Sequence, residues 1–171
     1  NLTDNEKKAI TRSYYTSVEY MDHNVGLLLD ELERLHLEEK TLIVFVGDHG
    51  YLLNHHGRFE KHMMWEEAVK TPLIIKGYDK GKTENGLVEL ADIAPTIVEA
   101  LGLQNMPNQH GKALQPLLQE KIEHHRKTVF SVYHTDNKAM VFDGRWKYIF
   151  TSGKADLGSG YATGFPPSGI L

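Results

Sequence analysis

The chain is 171 residues long, enough for one domain or most of one and for a real hydrophobic core. Its 19 basic residues are outnumbered by 23 acidic ones, and the net charge of −4 offers no basic face of the kind nucleic acid requires. Cysteine is absent, which excludes disulfides and thiol chemistry, and no apolar run approaches the roughly 18 residues of a membrane span.

The first forty residues read as one long amphipathic helix. Ile10, Tyr14, Val18, Met21, Val25, Leu28, Leu32 and Leu35 fall at steps of three and four, so they form one stripe. Thr3 or Asp4 is placed to cap its start, with Glu6 in the first turn. A single helix of this length must lay its stripe on something larger. Asn1-Leu2-Thr3 matches a glycosylation acceptor, a triplet common by chance.

Thr41 to Val46 is a continuous apolar run with β-branched residues. It predicts a strand buried on both faces, as in a parallel sheet covered by helices. The run stops at Gly47-Asp48-His49-Gly50, and open α/β sheets collect ligands just beyond such strand ends. Residues 51–71 are loop-rich, with a short helix expected near Trp65 to Val69. Pro72 to Gly77 reads as a second buried strand, and 78–87 as a mobile surface turn.

Asp92 to Leu101 is a predicted helix, with Asp92 capping its start, Pro95 in its first turn and Gly102 as its C-cap. A short apolar element follows at Leu114 to Leu118. Thr128 to Tyr133, Ala139 to Phe142 and Trp146 to Phe150 read as strands, the last two joined by a tight turn at Asp143-Gly144. The tail from Ser152 onward is rich in Gly, Ser and Pro and reads as a loop cut off before its partner element. Residues 1–126 are thus expected to be part of an α/β body, and 127–171 a truncated antiparallel subdomain.

Three features carry chemistry. Asp48 supplies a hard anionic oxygen and His49 a neutral nitrogen, a pair able to share a divalent cation. From the dipeptide alone, an exposed turn flanked by glycines is the more ordinary reading. His49, His55, His56 and His62 crowd into fourteen residues, but their spacing matches no short zinc motif. Lys61 is a point charge suited to a sulfate or phosphate oxygen, although most single lysines are simply solvated; Arg58 and His62 have the same two readings. Trp65, Tyr14 and Tyr15 are expected to pack.

Taken in order, these pieces resemble the sulfatases of the alkaline phosphatase superfamily over almost the whole chain. The resemblance lies in Tyr14-Tyr15, Met21-Asp22, Val25-Gly26 and Leu29 on the long helix, then Thr41 to Gly50. It continues through His56-Gly57 and Lys61, Glu67-Ala68-Val69, Thr71 to Ile74, and Asp92 to Thr96 with Leu101-Gly102. Gly111 to Leu114, Pro116 to Leu118 and Gly144 to Tyr148 complete it.

The resemblance implies an alkaline-phosphatase-like fold: a partial mixed or parallel sheet with flanking helices, plus a small C-terminal antiparallel subdomain. It implies sulfuric ester hydrolysis, with Asp48 and His49 as metal ligands, Lys61 on the sulfate and His62 facing the substrate. The implied cation is Ca2+, another divalent ion being allowed because imidazole suits zinc, manganese or iron better than calcium. The family's formylglycine, made from a cysteine or serine in a short motif with a following Pro and Arg, is expected in an N-terminal part missing from this chain. Ser13, Ser17, Ser131, Ser152, Ser159 and Ser168 all lack that motif.

With two protein ligands against the about six to eight oxygens calcium takes, the chain alone is expected to bind metal weakly and to be inactive. The expected partners are a sulfate ester, a sulfated glycan being favoured, and the missing N-terminal half of the same protein. A periplasmic, extracellular or lysosome-like compartment follows from the resemblance only. A phosphatase or phosphonate monoester hydrolase of the same superfamily, and a non-catalytic fragment or binding module, are the alternatives.

Overall fold

The computed structural model describes residues 2–78, 81–104, 106–133 and 138–151, together with the backbone of a strand at 168–170. Asn1 of the acceptor triplet and most of the tail after Thr151 lie outside the described residues.

Helix α1 runs from Asp4 to Arg34 and begins as its sequence dictates. The Thr3 side chain accepts from the Glu6 amide, and the Glu6 carboxylate accepts from the Thr3 amide at 2.7 Å, a reciprocal capping box. The apolar stripe is only half-covered. Ile10, Val25 and Leu32 are half-buried, while Tyr14, Val18, Met21, Leu28 and Leu35 stay exposed. Tyr14 stacks on Tyr51 with ring centroids 5.6 Å apart, whereas Tyr15, expected to pack, is 63% exposed.

The two expected body strands form as β1, Ile43–Val46, and β2, Leu73–Lys76, but they pair antiparallel, Ile43 opposite Lys76 and Val46 opposite Leu73. The connection explains the departure from a parallel pair. A parallel neighbour needs a crossover that runs back along the strand, usually on a helix of a dozen residues or more. Here the Gly47 amide donates to the Pro72 carbonyl at 3.1 Å, so the ladder continues one step past β1. Residues 47–72 therefore leave and return at the same end of the sheet. Their one α-helix, α2 at Glu66–Val69, is a single turn. The apolar residues of β1 are half-buried or exposed, not covered on both faces.

The 47–72 excursion is nonetheless well anchored. Leu52, Met64 and Ala68 are buried, as are Leu114, Leu117 and Met140 further along the chain. The Gly50 amide donates to Ala68 O at 2.8 Å, and a Cβ on Gly50 would sit 1.9 Å from Glu67 O. Only glycine permits that approach.

Helix α3, Ile93–Ala100, ends at Gly102 with φ +64, the left-handed C-terminal glycine that the sequence predicts. Pro95 lies buried in its first turn. Asp92, expected to cap α3, makes no side-chain cap bond. Its fully buried carboxylate instead accepts from Lys112 N at 2.8 Å, Glu89 N at 2.9 Å and the Arg126 guanidinium. Thr96 Oγ1 takes the Leu114 amide at 2.9 Å, tying α3 to α4, Gln115–Leu118.

The C-terminal unit is an antiparallel sheet in the order β3, Val129–Tyr133; β4, Lys138–Phe142; β5, Lys147–Thr151; β6, Ser168–Ile170. Asp143 makes the β4–β5 turn by accepting from Arg145 N at 2.9 Å and Trp146 N at 2.6 Å, with Gly144 at φ +92. The tail is not simply a loop: its 168–170 segment pairs with β5, Ile170 opposite Ile149. In β3 the alternation is clear, with Val129, Ser131 and Tyr133 half-buried and Phe130 and Val132 exposed. The covered face of this sheet meets the 47–72 excursion. The whole is a mixed helix-and-sheet fold of the α/β class with small antiparallel sheets.

Candidate functional site

The site is built on the turn that follows β1. Asp48 projects into solvent, its side chain 87% exposed, with Oδ1 accepting the His49 amide at 2.9 Å and Oδ2 3.5 Å from His49 Nε2. His49 Nδ1 lies 2.9 Å from Gly50 O, a contact that only a protonated Nδ1 can make. The lone pair therefore sits on Nε2, the nitrogen turned towards Asp48. Lys61 Nζ meets that lone pair at 2.5 Å.

Lys61 is brought there by the folding of the excursion. Leu52 N donates to Glu60 O at 3.0 Å and Asn54 N to Arg58 O at 2.7 Å, so residues 52–60 fold back on themselves. The reversal needs left-handed backbone at Leu53, Asn54, His56 and Gly57. Tyr51 Oη donates to Phe59 O at 2.6 Å and locks the two arms together. Lys61, twelve residues after His49, thus returns to the strand end.

The crowded histidines do not converge. His49 meets Lys61, His55 Nε2 pairs with Glu67 at 2.8 Å, His56 packs its ring 4.5 Å from Trp65, and His62 Nδ1 meets Tyr133 Oη at 2.7 Å. Each ring takes a different partner because the left-handed turns at 53–57 fan the side chains apart. No group of three or more His, Asp or Glu able to hold a metal forms among the described residues, so an all-histidine zinc site is not built. Arg58, another candidate anion contact, is engaged by Glu60 at 2.5 Å.

Asp48 and His49 do fit part of a divalent cation's shell. A carboxylate oxygen and an imidazole nitrogen 3.5 Å apart can share one ion, and the Gly50 carbonyl fixes the tautomer that presents Nε2. Two ligands fall short of the about six to eight that calcium takes. Sequence reasoning missed Tyr133, whose hydroxyl reaches His62 from the C-terminal sheet. The period-2 pattern of β3 puts Tyr133 on the covered face with Val129 and Ser131, but it does not point to a partner 71 residues away.

The family model for sulfatases matches residues 1–103, more than half of the chain. The chain belongs to the sulfatase family. It is 34% identical over 150 residues to a sulfatase of Formosa agariphila, covering 86% of this chain and 29% of that protein. To human arylsulfatase K it is 32% identical over 169 residues, covering 91% of this chain and 32% of the relative. To an N-acetylglucosamine-6-O-sulfatase of Bacteroides thetaiotaomicron it is 34% identical over 113 residues, 64% of this chain and 20% of that protein.

This sulfatase chain therefore spans less than a third of the length of the curated relatives it matches. Among solved structures, one in complex with its substrate D-glucosamine-2-N,6-O-disulfate superposes with a TM-score of 0.74 at 28% identity, over 81% of this chain and 31% of that one. A phosphonate monoester hydrolase from Silicibacter pomeroyi shares the fold, with a TM-score of 0.70 at 24% identity, over 87% of this chain and 32% of that one. No helix among the described residues of this sulfatase chain is long and apolar enough to cross a membrane.

Proposed function

We propose that this chain supplies the cation-holding and sulfate-contacting part of a sulfuric ester hydrolase that acts on a sulfated glycan. The observation that carries the reading is the convergence of Lys61 Nζ on His49 Nε2 at 2.5 Å, beside Asp48, at the end of β1. A carboxylate, an imidazole lone pair and an ammonium group at one strand end are suited to an oxyanion and its counter-ion.

Asp48 and His49 are the proposed ligands of a divalent cation, Ca2+ first. When bound, such an ion supplies neutralising charge to the ester oxygens. Lys61 would exchange its bond to His49 for one to a sulfate oxygen and so steady the charge that grows there. His62, the next residue, lines the same loop and is the second substrate-facing candidate. The nucleophile is assigned to a formylglycine outside this chain, because none of its six serines stands in the required motif and it has no cysteine. The glycan preference draws on two relatives: the N-acetylglucosamine-6-O-sulfatase by name, and the solved structure bound to a disulfated glucosamine.

The test compares turnover of a chromogenic aryl sulfate, a phosphonate monoester and a phosphate monoester. A protein joining this chain to the family's nucleophile-bearing segment is expected to favour the sulfate, and the 171-residue chain alone to turn over none of them. Preference for the phosphonate or phosphate monoester would transfer the site to the phosphatase reading. Turnover of the aryl sulfate by the isolated chain would show that the nucleophile has been misassigned.

A further inference from the structure

We infer that Tyr133 is a positioning residue for the sulfate site, acting through His62 to set where Lys61 stands. The inference rests on the reading of Lys61 as the sulfate contact. Tyr133 lies at the end of β3, on the covered face of the C-terminal sheet. Its hydroxyl meets His62 Nδ1 at 2.7 Å across 71 residues of sequence, and the two rings lie 5.6 Å apart. His62 follows Lys61 directly, so a fixed His62 ring fixes the backbone from which the Lys61 side chain springs.

The same sheet face makes a second tie. Lys147 of β5 reaches Glu66 at the start of α2 with an Nζ–Oε2 distance of 2.5 Å. Lys61 and His62 themselves lie in irregular backbone. Between the 52–60 reversal and α2, the segment carrying the anion contact is therefore steadied from one side by β3 and β5. A misplacement of about 1 Å in such a group is enough to cost on the order of a hundredfold in rate. The sheet is thus part of the site's geometry, although its side chains belong to another layer of the chain.

A double-mutant cycle tests this, with kcat/KM for an aryl sulfate measured in the protein that joins this chain to the nucleophile-bearing segment. Tyr133→Phe keeps the ring and removes the hydroxyl. It is expected to lower kcat/KM about tenfold in the wild-type background, mostly in kcat, and to change nothing further in the Lys61→Ala background. Equal losses in both backgrounds would overturn the inference, because Tyr133 would then act independently of Lys61. A Lys61→Ala variant with undiminished activity would instead overturn the reading of Lys61 itself. In the 171-residue chain, the imidazole nitrogen resonances of His62 give an activity-free readout. A shift of Nδ1 on Tyr133→Phe supports the link, and an unchanged Nδ1 contradicts it.

Discussion

The ammonium of Lys61 donates to Nε2 of His49 over 2.5 Å, so the proposed anion contact rests on the proposed metal ligand. The two roles compete for one lone pair. His49 Nε2 would be open to a cation only with Lys61 withdrawn from it, and a withdrawn Lys61 ammonium would be available to an anion.

That competition has a measurable sign in the isolated chain. Removing one positive charge about 4 Å from a cation in water is worth about 1 kcal/mol or more. Lys61→Ala is therefore expected to tighten binding of Mn2+ or Zn2+, titrated calorimetrically, by about fivefold or more. Asp48→Asn should weaken it. Unchanged affinity in Lys61→Ala would mean that the cation does not use Nε2.

At Gly50 the site turn lies directly against α2. A methyl group there would meet Glu67 O at 1.9 Å, and Glu67 also holds His55. Gly50→Ala is expected to destabilise the chain by about 3 kcal/mol in urea unfolding, the scale of an overpacked core position. It should also disturb the His49 resonances. A cost under about 0.5 kcal/mol would show that the turn is free to move away from α2.

The buried Asp92–Arg126 pair is expected to contribute to the chain's sensitivity to acid. Burial alone would raise the Asp92 pKa. The Arg126 guanidinium and the amides of Lys112 and Glu89 outweigh it and hold the carboxyl below its ordinary value. A group whose pKa is lower in the folded state gives stability that is fully present above its unfolded value. That stability is lost as pH falls through the folded value. The chain should therefore keep this contribution at neutral pH and lose it progressively below about pH 4. Arg126→Met takes the guanidinium from the buried carboxylate and leaves it His125 Nε2 at 3.2 Å and two backbone amides. It is expected to cost about 3–5 kcal/mol at pH 7 and to flatten the acid limb of the stability profile. An Arg126→Met profile parallel to the wild type would place the acid sensitivity elsewhere.

Much of the fold was legible because its signals are local. The Thr3 capping box, the Gly102 C-cap and the Asp143-Gly144 turn are each written in three or four adjacent residues. The pairing of β1 with β2 was not, because a continuous apolar run reports burial and says nothing of strand direction. Direction is decided by Gly47 and Pro72 closing the excursion at one end. Asp92 does stand at the N-cap of α3, as its local sequence indicates, but its side chain turns to Lys112 and Arg126, 20 and 34 residues away, which no local signal reports. At the site, Asp48, His49 and Lys61 stood out by residue type and by resemblance. Tyr133 did not, since nothing near it in sequence announces a contact 71 residues distant.

The most direct test of the central claim is kcat/KM for a chromogenic aryl sulfate in a protein that joins this chain to the nucleophile-bearing segment, with Lys61 intact and as Lys61→Ala. Loss of one preorganised contact to the charge-bearing oxygens predicts a fall of about 100- to 1,000-fold in a variant that keeps its fold. A Lys61→Ala enzyme as active as the parent would contradict the assignment of this strand end as the sulfate site.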